Sequence, residues 1–183
     1  MAKQQLLDST ARYGTASRLL HWSMGAILAW QFATAAAHLL FEDTGVERFL
    51  WGTHKVVGTL LILLIVIRAL WSIYNRGHRP PSLNIMAQLG HLAMYALMLA
   101  VPLLALIRQY GSGRSFAPLG IPLMSGFEGD PIDWLTAPGN LLHSWLGWLL
   151  MILILGHIAM VFIHRRRPRD HDVLARMVGD RHG

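Results

Sequence analysis

Four long apolar runs alternate with polar connections along the chain. They cover roughly residues 17–38, 52–73, 86–108 and 140–164. A stretch of about 20 apolar residues is what an α-helix needs to cross the hydrocarbon layer. The pattern predicts four transmembrane helices in an all-α bundle, with residues 1–183 forming a single membrane domain. Pro102 falls inside the third run, where it should kink the helix. Asn140 follows Pro138 and Gly139 and is the expected cap of the fourth. Between the third and fourth runs, residues 109–139 are rich in Gly and Pro and read as an irregular surface loop.

Composition agrees with this pattern. Hydrophobic residues make up 54% of the 183 positions and charged ones 14%, too apolar for an ordinary soluble domain. Cysteine is absent, which excludes disulfides, thiolate-held iron–sulfur clusters and covalently attached haem. The opening "MAKQQLLDSTARYGTASR" lacks the early apolar core and cleavage site of a removable signal, so the first hydrophobic run is expected to remain in the protein.

Charge adds orientation. Of the 16 Lys and Arg residues, twelve fall in the termini and the second connection, or at the helix ends that adjoin them, and four on the opposite side. The positive-inside rule then puts both termini on the cytoplasmic side. The "HRRRPR" flank fits contact with anionic lipid headgroups, and nucleic-acid binding is not expected. Trp22, Trp51, Trp71, Trp134 and Trp145 read as interfacial belt residues.

The candidate chemistry lies in the histidines. His143 and His157 are 14 residues apart in the fourth run, about 40° short of four whole turns, so they share a helix face and lie about 21 Å apart along the axis. That makes two sites at different depths. By depth, His54 matches His143 near the outer surface and His21 matches His157 near the inner one. Intramembrane polar groups usually face a partner inside the bundle. Two facing imidazoles suit the axial positions of a haem iron, whereas a tetrahedral zinc site takes three or four ligands. Gly25, Gly58 and Gly147 each stand four residues after one of these histidines, on the same face. There they remove a side chain where a flat macrocycle would lie. Close helix packing is the other use of such glycines.

Arg68 is 14 residues after His54 and reaches the inner level, where it can pair with haem propionates or snorkel to the boundary. Arg18 is a weaker candidate for the same role. Lys55, Arg108 and Arg114 can serve the outer haem or attract an anion. His91 opens the third run at the inner level, placed to bond a propionate, to bind quinone or to compete with His21 as ligand. His164, seven residues beyond His157, can replace it in register. His38, His78, His171 and His182 read as solvated.

The segments "SRLLHWSMG", "THKVVG…VIRALW", "GHLAMYALMLAVPLLALI" and "HSWLGWLLMILILGHIA" together resemble the bacterial cytochrome b561 family over about residues 12–177. The resemblance implies a four-helix inner-membrane protein with two non-covalent b haems, held by His21 with His157 and His54 with His143. It also carries His91 and Tyr95 in the family's GHL-x-x-Y segment. It implies electron transfer to or from a quinone such as ubiquinone. Some relatives are superoxide oxidases, so the chain is a candidate superoxide:quinone oxidoreductase. Others are cytochrome subunits that dock a dehydrogenase or hydrogenase, so a redox protein is the alternative donor. The loop around "YGSGRS" departs from the family pattern, which weakens transfer of any outer-site residue, and no catalytic side chain is assigned. A metal permease or a structural membrane protein is the reading from another class.

Overall fold

The computed structural model describes residues 6–166 and 173–178. Lys3, Arg167, Arg169, His171, Arg181 and His182, which enter the charge and histidine readings, lie outside those residues. The described residues form four long helices: α1 (Thr15–Leu40), α2 (Gly45–Tyr74), α3 (Ile85–Gly111) and α4 (Asp133–Arg165). A 3-10 turn (Pro118–Gly120) and a short helix, α5 (Ala175–Val178), complete them. The long helices have 26, 30, 27 and 33 residues, each long and apolar enough to cross a membrane.

Local sequence sets the helix starts. Thr44 caps α2, its hydroxyl accepting from the Glu47 amide at 3.2 Å, the ordinary role of a threonine N-cap. Asn84 caps α3, its Oδ1 accepting from the Ala87 amide at 2.8 Å. The start of α4 corrects the sequence expectation. The helix begins at Asp133 and runs through Pro138 and Gly139, so Asn140 is a helical residue and not a cap. The reason is packing. Gly139 sits against α3, where a Cβ would lie 2.6 Å from Arg108 Cβ and 2.7 Å from the Leu104 carbonyl. Gly111 is likewise pressed against Leu135. Two glycines thus let α3 and α4 touch backbone to backbone, and that contact holds a segment that Pro and Gly would otherwise break.

The preceding loop is ordered too. Phe116 and Met124 exchange backbone hydrogen bonds at 2.9 and 3.0 Å. Gly126 takes φ +79°, with the Gly113 carbonyl 2.7 Å from where a Cβ would stand. Only glycine suits that close approach.

The bundle is two hairpins, α1 packed on α2 and α3 on α4, with a lesser contact between α2 and α3 and no extensive approach of α1 or α2 to α4. The core is the mid-depth layer of Met24, Leu28, Leu61, Ile65, Met98 and Leu150. Leu150 is seven residues from both His143 and His157, so this apolar layer separates the two histidine levels.

A polar latch closes the end that carries the termini. Asp8, wholly buried, accepts from the Gly14 amide at 2.8 Å and pairs with Arg79 at 3.3 Å. Its own amide donates to Asn75 Oδ1 at 3.3 Å. α5 joins the latch when the Tyr13 amide donates to the Arg176 carbonyl at 3.2 Å. Burial raises the Tyr13 phenol above its ordinary pKa, with the nearby Arg79 acting against it. Trp71 takes part as well. Its indole N–H donates to Ser17 Oγ at 2.9 Å, which makes it a tie between α1 and α2. Trp22, Trp134 and Trp145 are exposed, as belt residues are.

Candidate functional site

The structure brings the four candidate ligands together in two couples. At the loop end, the rings of His54 on α2 and His143 on α4 have centroids 6.3 Å apart. At the terminal end, His21 on α1 and His157 on α4 also stand 6.3 Å apart. Each couple spans the seam between the hairpins, where the backbones do not approach closely.

This spacing decides what can fit. A metal–imidazole bond of about 2 Å on each side, extended to the ring centres, sets two rings on a shared ion about 6 Å apart. The same rings are too far apart to hydrogen-bond directly. Among the described residues no three His, Asp or Glu converge on a point that could hold a metal. An ion between either couple would therefore need its other ligands from a group other than the described residues, as the iron of a haem would have them from its macrocycle.

The glycines divide into two kinds. A Cβ at Gly25 or at Gly147 would meet nothing within 4 Å, so both leave open space one turn from His21 and His143. Gly58 differs, since a Cβ there would lie 3.2 Å from Gln31 Nε2. That glycine gives room to a buried amide.

Second partners set the tautomers. His143 Nδ1 lies 3.0 Å from the Val101 carbonyl, which can only accept, so Nδ1 holds the proton and Nε2 keeps its lone pair. His54 Nδ1 lies 2.7 Å from Thr34 Oγ1, while that hydroxyl donates to the Gln31 carbonyl at 2.7 Å. Its oxygen thus accepts from His54, and Nε2 is again free. The terminal-end couple differs. Arg68 Nη2 donates to His21 Nδ1 at 3.1 Å. A guanidinium has no acceptor, so the His21 proton is on Nε2, and Arg68 must release Nδ1 before Nε2 can bind a metal.

Arg68 also reaches Met24 Sδ at 3.5 Å and stands 5.5 Å over the Tyr95 ring. It lies inside the bundle at the His21 level and does not snorkel away. His91 enters the same cluster, its ring 5.2 Å from His157 and its Nδ1 2.6 Å from the Ala87 carbonyl. The terminal end thus gathers His21, His91, His157, Arg68 and Tyr95. His164 is half-buried, its Nδ1 enclosed and without a hydrogen-bond partner among the described residues. Arg18 lines a polar pocket with Arg12 and Tyr13.

At the loop end Lys55 donates to Gln109 at 3.1 Å, which ties α2 to α3. Arg108 packs on Gly139, and Arg114 is exposed. His38 is not simply solvated. It pairs with Glu47 at 2.9 Å and stacks on Trp51 with centroids 4.0 Å apart. Trp51 in turn lies 4.6 Å from His54, an aromatic bridge from the surface to a candidate ligand.

Sequence reasoning passed over Gln31 and Thr34. The available signal was two polar side chains, one turn apart, inside a membrane helix. Such groups are costly in lipid and mark contacts within the bundle.

Residues 12–180 match the family model described as prokaryotic cytochrome b561. The chain is also 30% identical over 182 residues to Cytochrome b561 homolog 2 of Escherichia coli (strain K12), with 94% of each chain covered.

Proposed function

The chain belongs to the prokaryotic cytochrome b561 family, membrane proteins of haem b electron transfer in the bacterial inner membrane, and from that premise we propose that it carries electrons across the bilayer between two haem b sites. One site is His54 with His143, the other His21 with His157. The observation that carries the reading is the repeated 6.3 Å separation of two ring couples at opposite ends of one bundle. When bound, a haem held by either couple of histidines would supply a one-electron iron couple for electron transfer.

The residues do the rest. His143 and His54 present Nε2 lone pairs because their Nδ1–H groups donate to the Val101 carbonyl and to Thr34 Oγ1. At the other end Arg68 offers a fixed positive charge to an anionic group such as a propionate, and in doing so frees His21 Nδ1. The layer of Leu61, Ile65, Met98 and Leu150 keeps water from the space between the levels. His91 and Tyr95 stand beside the terminal-end couple with groups able to pass a proton to a reduced quinone.

The basic residues at the terminal end put that end in the cytoplasm. Electrons then enter at the His54 end, facing the periplasm, and leave to ubiquinone at the His21 end. The donor we favour is superoxide. Two superoxide ions each give up one electron and become oxygen, and one quinone takes two electrons and two protons to become quinol. Arg108 and Arg114 are the local positive charges that would draw the anion, since the segments on that side carry more acids than bases overall. A docked soluble dehydrogenase or hydrogenase is the alternative donor.

The test uses the protein reconstituted in ubiquinone-containing vesicles. A superoxide source outside should reduce the haem and form quinol, at a rate above that of vesicles without protein. Haem reduction by a co-purifying redox protein, with none by superoxide, would assign the docking role instead. Absence of b-type bands in the reduced-minus-oxidised spectrum would reject both.

A further inference from the structure

Thr34 is fully buried in the middle of an apolar helix, and its neighbours explain why a hydroxyl is there. Thr34 Oγ1 donates to the Gln31 carbonyl at 2.7 Å. Taken alone that is the ordinary back-bond of a helical threonine, also made by Thr53 to Leu50 and by Thr59 to Lys55. Thr34 differs because the same oxygen lies 2.7 Å from His54 Nδ1 on the next helix. With its only proton committed to Gln31, the hydroxyl oxygen must accept, and His54 must donate. One turn away, the Gln31 side chain donates to the His54 backbone carbonyl at 3.0 Å, in space left by Gly58. α1 thus grips His54 at two points, backbone and ring.

We infer that Thr34 is a positioning residue for the loop-end haem: it fixes the His54 tautomer and ring direction and, by accepting a hydrogen bond from Nδ1–H, strengthens the imidazole as a ligand for ferric iron. The inference rests on the proposal that His54 and His143 share a haem. An acceptor on the far nitrogen of a metal-bound histidine raises the basicity of the ligand, and such hydrogen bonding is one of the levers by which a protein sets a haem potential. The His143 side has a backbone carbonyl in the same role, which no side-chain change can remove. Thr34 is therefore the point at which substitution can tune this site. Thr34 touches only the His54 side, and Arg68, which neighbours His21 Nδ1, has no acceptor to offer, so the effect belongs to one haem alone.

The experiment is an equilibrium redox titration of the purified holoprotein. The wave that vanishes in His143→Ala identifies the loop-end haem. Thr34→Val keeps the shape of the side chain and removes the acceptor. It should move that wave to higher potential, favouring the ferrous form about three- to tenfold, roughly 30–59 mV for a one-electron couple. The other wave should stay in place, and Thr34→Ser should restore the wild-type position. The ferric g-values of the same haem should change in Thr34→Val and return in Thr34→Ser. Loss of that haem alone in Thr34→Val, with retention in Thr34→Ser, would support the same role. An unmoved wave, equal movement of both waves, or a serine variant that behaves like valine would overturn it. A wild-type protein without two haem waves would instead remove the underlying two-haem proposal, so the two failures are told apart.

Discussion

Gly147 and Gly139 are eight residues apart on one helix, and the structure gives them opposite jobs that substitution can separate. At Gly139 a Cβ would press to 2.6 Å from Arg108 Cβ and 2.7 Å from the Leu104 carbonyl. The backbone oxygen cannot step aside as a flexible side chain would. Overpacking of this kind costs about 1–3 kcal/mol, against which alanine gains about 1 kcal/mol in helix propensity over glycine. Gly139→Ala should therefore be neutral to about 2 kcal/mol less stable, with no preference for either haem. At Gly147 nothing lies within 4 Å. Leucine meets no protein atom at its Cβ and gains a little under 1 kcal/mol of helix propensity, so the apoprotein should hold or gain stability. The space it fills lies one turn from His143, however, where a macrocycle bound by His54 and His143 would rest. Gly147→Leu should thus fall from two haems per chain to one. The assay pairs a haem-to-protein ratio with thermal unfolding of apo and loaded protein in the same detergent. A Gly147→Leu protein that retains both haems would refute the reasoning, as would one that loses its haem only because the apoprotein has unfolded.

Further consequences follow from the terminal end. Removing the Arg68 guanidinium in Arg68→Leu takes a cation from beside His21 and should favour the ferric form of that haem. Its midpoint should drop by roughly 60 mV, a tenfold change, with the other wave unmoved, as a redox titration can show. Asp8→Ala leaves Arg79 unpaired and a buried amide at Gly14 unsatisfied. It should lower unfolding stability by about 3 kcal/mol, read by denaturant titration, while both haem potentials stay as they are.

The four helices were legible because lipid imposes a simple rule on length and polarity, and the runs near 17–38 and 86–108 differ from α1 and α3 by at most three residues at either end, while α2 begins at Gly45, seven residues before the run near 52–73. α4 escaped that rule. Its first turns contain Pro138 and Gly139, breakers by local preference, and only their contact with Arg108 and Leu104 on another helix explains why the helix continues. The depth of the histidines was likewise readable, since 14 residues on one helix fix both face and rise. The rings of His54 and His143 stand together, as do those of His21 and His157, at two separate depths of the bundle. The polar partners were not readable. Thr34 and Gln31 become meaningful only when α1 and α2 are side by side, because the histidine they grip is 20 or more residues away. Trp71 looks the same in sequence whether it anchors in headgroups or bonds Ser17. His91 sits nearer to His157 than His21 does, and sequence depth alone could not order those distances.

The claim that two imidazole couples each hold one haem is tested most directly by haem content and low-temperature spectra of four alanine variants. His54→Ala and His143→Ala should each lose one haem, and the same one. His21→Ala and His157→Ala should each lose the other. Variants that lose haem in any other pairing, or a His91→Ala protein that loses the haem His21→Ala retains, would contradict the account.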